Sequence, residues 1–328
     1  MSEEVRDCLI IGGGVAGCTA GIYAKRYSLD VAIVDSLGGG GGNTAMASLV
    51  ENYPGFPGGI TGVELAERVK QQALEIEVDI ITATARTLTP EEGLWRVSDG
   101  ADFSVLTYTV IIATGAYPRS LMVPGELDYR GKGVSYCATC DGFFYRNRTV
   151  AVIGGGNAAL DEALYLSNLA EKVYLIHRRD ELRAEKYMQD KAFASPNIEF
   201  VWNSVVEKIS GNAELDGLQL RNVKTDEVSE LPVDGVFVAI GHIAKTEWLE
   251  GLLQMEDGFV ITDSQMQTNQ PGIFACGDIR VTPLRQISTA VGDATLAAHA
   301  AYQYVARRRV AGGNAKQKTE DDEEREAV

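Results

Sequence analysis

Histidine and cysteine are scarce in this chain, three and five residues among 328. His177, His242 and His299 stand alone, as do Cys8, Cys18 and Cys276; the one close pair is Cys137 with Cys140. A structural zinc ion takes four ligands, commonly from a second CxxC or paired histidines. No second half exists, so no metal site is expected. An odd number of cysteines does not resemble a secreted disulfide framework. No apolar run approaches the length that crosses a bilayer, and the first strand begins too close to Met1 for a cleavable signal peptide. A reducing cytoplasm is the expected home, where a lone CxxC points to redox work. Positive charge is in deficit too, with 30 Lys and Arg against 46 Asp and Glu and a net charge of −16. That argues against nucleic acid or an anionic membrane as partner. The stretch from Lys316 to Val328 holds six acids and three bases, so the excess acidity is spread over the body. Residues 313–328 read as a disordered, solvated acidic tail.

Glycine, by contrast, is plentiful, and two of its clusters follow apolar strands. The first follows Cys8-Leu9-Ile10-Ile11 and runs Gly12-Gly13-Gly14-Val15-Ala16-Gly17. The second follows Val150-Ala151-Val152-Ile153 and runs Gly154-Gly155-Gly156-Asn157-Ala158. Strand, glycines and helix in that order form the context of a dinucleotide site: the backbone can approach a pyrophosphate, and a helix N-terminus offers unpaired N–H groups to it. After the first turn, a helix over about 16–27 leads to the strand Val31-Ala32-Ile33-Val34, which ends at Asp35. A carboxylate there suits ribose hydroxyls. After the second, a helix over about 158–169 leads to Val173-Tyr174-Leu175-Ile176, which ends in His177-Arg178-Arg179-Asp180, with Arg183 close behind. Arginines suit a 2′-phosphate, which they hold bidentately. The first unit therefore reads as an FAD site and the second as an NADPH site.

Further strands are expected at Ile111-Ile112-Ala113, closing on Thr114-Gly115, at 233–240 before Gly241, and at Ile273-Phe274-Ala275 before Gly277-Asp278, with a helix over about 288–306. The fold class is α/β, with two Rossmann-like dinucleotide-binding domains of the three-layer ββα type. The second is inserted into the first: residues 1–116 and 246–312 make the FAD domain, and 117–245 the NADPH domain carrying the CxxC. Cys137 and Cys140, with two residues between them, can place their sulfurs on one face of a helical turn as a dithiol or disulfide. A helix N-terminus there favours the thiolate. Asp141, directly after the pair, is placed to handle a proton. Cys8, Cys18 and Cys276 read as small buried apolar residues.

Cys137-Ala138-Thr139-Cys140-Asp141-Gly142-Phe143-Phe144, Gly154-Gly155-Gly156-Asn157 and His177-Arg178-Arg179-Asp180 together resemble the low-molecular-weight thioredoxin reductases. Glu51-Asn52-Tyr53-Pro54-Gly55-Phe56, Ala113-Thr114-Gly115 and Gly277-Asp278 with Arg285-Gln286 are similar to that family as well, over about residues 6–308. The resemblance implies a homodimer binding FAD and NADPH in each subunit, with thioredoxin or a thioredoxin-like protein as partner. It implies that Cys140 faces the flavin, that Cys137 attacks the partner's disulfide, and that Asp141 is the general acid or base. It also implies rotation of the NADPH domain between two arrangements. Asn43, Asn52, Arg285, Gln286 and Ile287 are flavin contacts by the same resemblance. The chain departs from the pattern in three places: Gly38 to Gly42 and Asn43 replace Gly-Gly-Gln, Ile287 and Val291 replace alanines, and Ala158 replaces a hydroxyl residue. Relatives served by ferredoxin or a deazaflavin tend to lack the second fingerprint, so NADPH is the expected donor. A small-molecule dithiol oxidase and a flavin-bound redox sensor are the remaining alternatives.

Overall fold

The structure, a computed structural model, describes residues 5–47 and 49–326, with side chains described as far as Val310. It divides into two compact units, 1–116 with 244–328, and 117–243. The second crossing lies two residues before the expected one.

The first unit is built on a seven-stranded sheet. At its centre is Val5–Ile11, with Val31–Asp35 and then Asp79–Thr82 parallel on one side. Ser104–Ile112 lies parallel on the other side and itself pairs with Ile273–Ala275. Leu94–Ser98 and Thr87–Glu91 extend the sheet antiparallel. The central strand is buried on both faces, as a parallel strand covered by two layers must be. Cys8 and Ile10 enter one core with the helices Val15–Arg26 and Ile287–Glu326, while Leu9 and Ile11 enter a second core with Trp95, Val97 and Leu249. The tail expected at 313–328 continues the last helix to Glu326; its side chains and its final two residues lie outside the described residues. Cys8, Cys18 and Cys276 all sit in the first core, as buried small apolar residues do. Burial pushes the Cys8 thiol up to about 12 and Cys18 up to about 11, so neither is a ready thiolate.

The second unit repeats the plan with five parallel strands in the order Ile198–Val201, Lys172–Ile176, Thr149–Ile153, Gly235–Val238, Val134–Ser135. Alternation again divides the central strand: Val150 and Val152 face the helix Asn157–Ser167, while Ala151 and Ile153 face the antiparallel strands Ser204–Gly211 and Leu215–Asn222. In each unit the glycine turn leaves the carboxyl end of the central strand, where ligands bind in open α/β sheets.

Candidate active site

In the first unit the turn is shaped by close approach. A Cβ on Gly17 would lie 1.8 Å from the Gly12 carbonyl oxygen, so the helix can start against the turn only with glycine there. Gly14, the helix N-cap, has nothing nearer than 3.9 Å, which leaves its outer side clear. Val15 and Ala16 begin the helix as buried residues. Asp35, at the end of the second strand, accepts the Gly13 N–H at 2.7 Å through one oxygen, and the N–H groups of Leu37 and Gly39 at 2.8 and 3.0 Å through the other. The carboxylate is thereby fixed at the mouth of the turn. Gly38, Gly39, Gly41 and Gly42 all have positive φ, and a Cβ on Gly41 would meet Ala66 Cβ at 2.4 Å. The five-glycine run is therefore a defined turn that demands glycine, and it ends in the helical turn Gly42–Ala45.

Asn43 on that helical turn donates Nδ2 to the Ala116 carbonyl, while its Oδ1 is buried without a partner. Thr114 Oγ1 and Arg285 Nε are likewise buried and unpartnered. Gly115 follows Thr114 in a left-handed conformation, φ 70°. Asp278 lies within a single 3-10 turn, Gly277–Ile279, whose Gly277 packs on Ala16. Burial pushes the Asp278 carboxyl up to about 6, against the pull of Arg285, and burial also lowers the Arg285 guanidinium. Two opposite charges that each shift toward neutrality are short of polar partners. Arg285 lies over the Phe259 ring at 4.2 Å. Gln286 Oε1 accepts from Asn52 Nδ2 at 3.1 Å, and Ile287 packs beside Val50, Ile60 and Leu65. Buried polar atoms ordinarily have partners. Three orphans and two under-compensated charges, Asp278 and Arg285, beside a clear glycine turn fit a large polar ligand such as a flavin dinucleotide.

In the second unit Gly156 is the open position, with nothing within 4 Å of its would-be Cβ. Gly155 is crowded instead: its Cβ would fall 2.4 Å from the His177 ring. His177 is 5% exposed, and its Nε2 is buried without a partner. Burial, reinforced by Arg183, Arg178 and Arg179, lowers its pKa, so the imidazole is neutral at physiological pH. Arg183 N–H donates to the Gly155 carbonyl at 2.7 Å, tying the arginine loop to the turn. The three arginines are exposed, and none is in an ion pair among the described residues. Asn157 accepts the Glu185 N–H at 2.8 Å and so closes the far end of the loop, while Ala158 is exposed beside it. Gly241 accepts the Arg119 N–H at 2.9 Å. Free guanidinium groups around an open glycine fit a phosphate-bearing pyridine nucleotide.

The dithiol segment also lies in the second unit. Cys137 and Cys140 are joined as a disulfide, with Cα atoms 5.3 Å apart. Cys137 is the N-cap of the single helical turn Ala138–Asp141, and its carbonyl accepts the N–H groups of Cys140 and Asp141. Ser135 Oγ donates to Asp141 Oδ2 at 2.6 Å and accepts the Cys137 N–H at 3.1 Å, linking the acid to the first cysteine through one hydroxyl. Burial raises the Asp141 pKa, opposed by the Ser135 bond, which prepares the carboxyl to hold a proton. Ser135 carries no sequence motif of its own. Neither does Glu162, whose carboxyl contacts the same segment.

The family model of the pyridine nucleotide-disulphide oxidoreductases matches residues 6–294. A Treponema pallidum protein named thioredoxin reductase is 42% identical over 303 residues, covering 92% of this chain and 98% of its own. One of the same name from Streptomyces coelicolor is 42% identical over 306 residues, covering 93% and 95%. Among solved structures, thioredoxin reductase from Streptococcus pyogenes superposes with a TM-score of 0.88 at 43% identity, over 93% of this chain and all of that one.

Proposed function

Since the chain belongs to the pyridine nucleotide-disulphide oxidoreductase family, we propose that it carries electrons from NADPH through FAD to the Cys137–Cys140 disulfide and on to oxidised thioredoxin. The enzyme is a disulfide-reducing oxidoreductase of the thioredoxin reductase class. It binds a flavin and a pyridine nucleotide, the cofactor pair of its family. The observation that carries the reading is the closed CxxC disulfide with Asp141 directly after it, its carboxyl bonded to Ser135 and its pKa raised by burial.

In the first unit Gly12, Gly14, Val15, Ala16 and Gly17 would hold the FAD pyrophosphate, and Asp35 the adenosine ribose. Asn43, Asn52, Thr114, Gly115, Asp278, Arg285, Gln286 and Ile287 would line the rest of that site. In the second, Gly154, Gly156, Asn157 and Ala158 would cradle the NADPH pyrophosphate. Arg178, Arg179 and Arg183 would hold the 2′-phosphate, His177 the ribose, and Gly241 the opposite rim. Bound together, the two groups supply two-electron transfer from a hydride donor to a disulfide. Cys137 attacks the partner's disulfide as a thiolate, Cys140 resolves the mixed disulfide, and Asp141 returns the proton. Homodimerisation, a cytoplasmic setting and domain rotation during turnover belong to the same reading.

NADPH oxidation by the purified protein in the presence of oxidised thioredoxin tests it, with Cys140→Ser as control. Turnover that needs thioredoxin and disappears in the control is the expected result. Peroxide output without thioredoxin would identify a dithiol oxidase instead, and no flavin bleaching by NADPH would remove the donor assignment.

A further inference from the structure

Helix Asn157–Ser167 does more than bridge the second glycine turn to the next strand. Its residues Ala159, Leu160, Ala163 and Leu166 form the floor on which the dithiol segment rests, packed with the fully buried Ala138. The contact is close: a Cβ on Gly142 would meet Leu166 and Tyr165 at 3.0 Å. On the same floor stands Glu162. Its carboxyl is directed toward the backbone N–H of Ala138, the amide that joins the helical turn to Cys137. Its Oε2 is buried without a hydrogen-bond partner among the described residues. A carboxylate oxygen buried without a partner is costly unless it serves a purpose or is protonated.

We propose that Glu162 is a positioning residue for the disulfide: its carboxyl fixes the Cys137–Ala138 peptide from below, and its ionisation tunes the ionisation of the dithiol above it. This rests on the reading of Cys137–Cys140 as the working disulfide.

The charges around Glu162 are uniformly negative. Asp141 acts on it from the dithiol turn and Asp161 from its own helix. From the turn Gly142–Tyr145, the Tyr145 phenol is pushed up by burial and by Asp141, so it is neutral. No cation is among the groups of the described residues that act on it. Burial, with the repulsion of Asp141 and Asp161, pushes the Glu162 carboxyl up to about 7, despite the pull of the Ala138 N–H. Below that pH the site beneath the sulfurs carries one negative charge fewer. Above it, an ionised Glu162 opposes a thiolate at Cys137 and a carboxylate at Asp141 alike.

The test is the rate of iodoacetamide alkylation of the reduced holoenzyme as a function of pH. Wild type is expected to show two inflections, the lower near that of Glu162. Glu162→Gln keeps an acceptor for the Ala138 N–H but cannot ionise. It should show a single inflection, with alkylation roughly three- to tenfold faster above neutral pH. Glu162→Asp should restore the two-step profile. A Glu162→Gln profile that superposes on wild type overturns the proposal, as does an equal shift in both variants, which would mean only loosened packing. Should Glu162→Gln lose its flavin or melt, Asp141→Asn decides. The lower inflection must persist there and move to lower pH; its disappearance would assign it to Asp141 and overturn the proposal. Thioredoxin turnover of the same wild-type sample is read separately. Its absence would sink the functional reading and leave the alkylation profile interpretable.

Discussion

The two glycine turns follow the same plan and differ in the residue that faces the middle glycine. In the first, the middle glycine Gly13 faces Asp35, whose carboxylate accepts its N–H. In the second, the middle glycine Gly155 faces His177, whose ring lies where a Cβ would be. Both partners stand just at or beyond the end of the second strand, so one structural position carries an acid in one unit and an imidazole in the other. The segments beyond these two residues differ in kind as well. Asp35 leads into a run of glycines that wraps the carboxylate with backbone N–H groups. His177 leads into exposed arginines held by bonds to Gly155 and Asn157. On the proposed function, the same turn would receive hydroxyls in one unit and phosphate in the other through the residue that closes it.

The largest effect should come from the segment that only the second unit has. Cys140→Ser should lower thioredoxin-dependent turnover by at least about 10³-fold while the flavin stays bound, as loss of a nucleophilic pair does; NADPH oxidation rates and the visible spectrum check this. Turnover above that level would remove the dithiol from the path. Next, Gly17→Ala should cost about 3 kcal/mol in chemical denaturation, because its Cβ would collide with the Gly12 carbonyl. Gly14→Ala and Gly156→Ala have room, so they should keep their melting temperatures and weaken nucleotide binding alone. Arg178→Gln and Arg179→Gln should each raise the KM for NADPH roughly tenfold and leave NADH unchanged, the scale of a lost charge-assisted bond. If NADH suffers equally, the comparison between the two turns fails.

The smallest effect is on stability. Glu162 ionises at about 7 in the folded protein, against 4.5 in an open chain. Its protonated carboxyl therefore favours the fold fully below pH 4.5, and that contribution is lost as pH rises through 7. Glu162→Gln should gain on the order of 1 kcal/mol over wild type at pH 8 and less at pH 5, by paired urea titrations.

Both βαβ units were legible because strand, turn and helix signals are local, and Asp35 and the arginines sit at fixed offsets from their glycines. The long-range contacts were not. Asn52 meets Gln286 across 234 positions, and only the family resemblance joined them. The glycine run at 38–42 read as a departure from the family pattern; the reason for its glycines, positive φ and the nearness of Ala66, exists only in the folded chain. Ser135 and Glu162 are unremarkable residues whose meaning comes from Asp141 and Ala138, each brought to them by packing.

Anaerobic reductive titration of the purified protein tests the central claim most directly. Wild type should take up one two-electron equivalent more than Cys140→Ser, with flavin bleaching and two new thiols per chain appearing together. Equal uptake by the two proteins, or a wild type that bleaches without releasing thiols, would contradict a path that ends at Cys137 and Cys140.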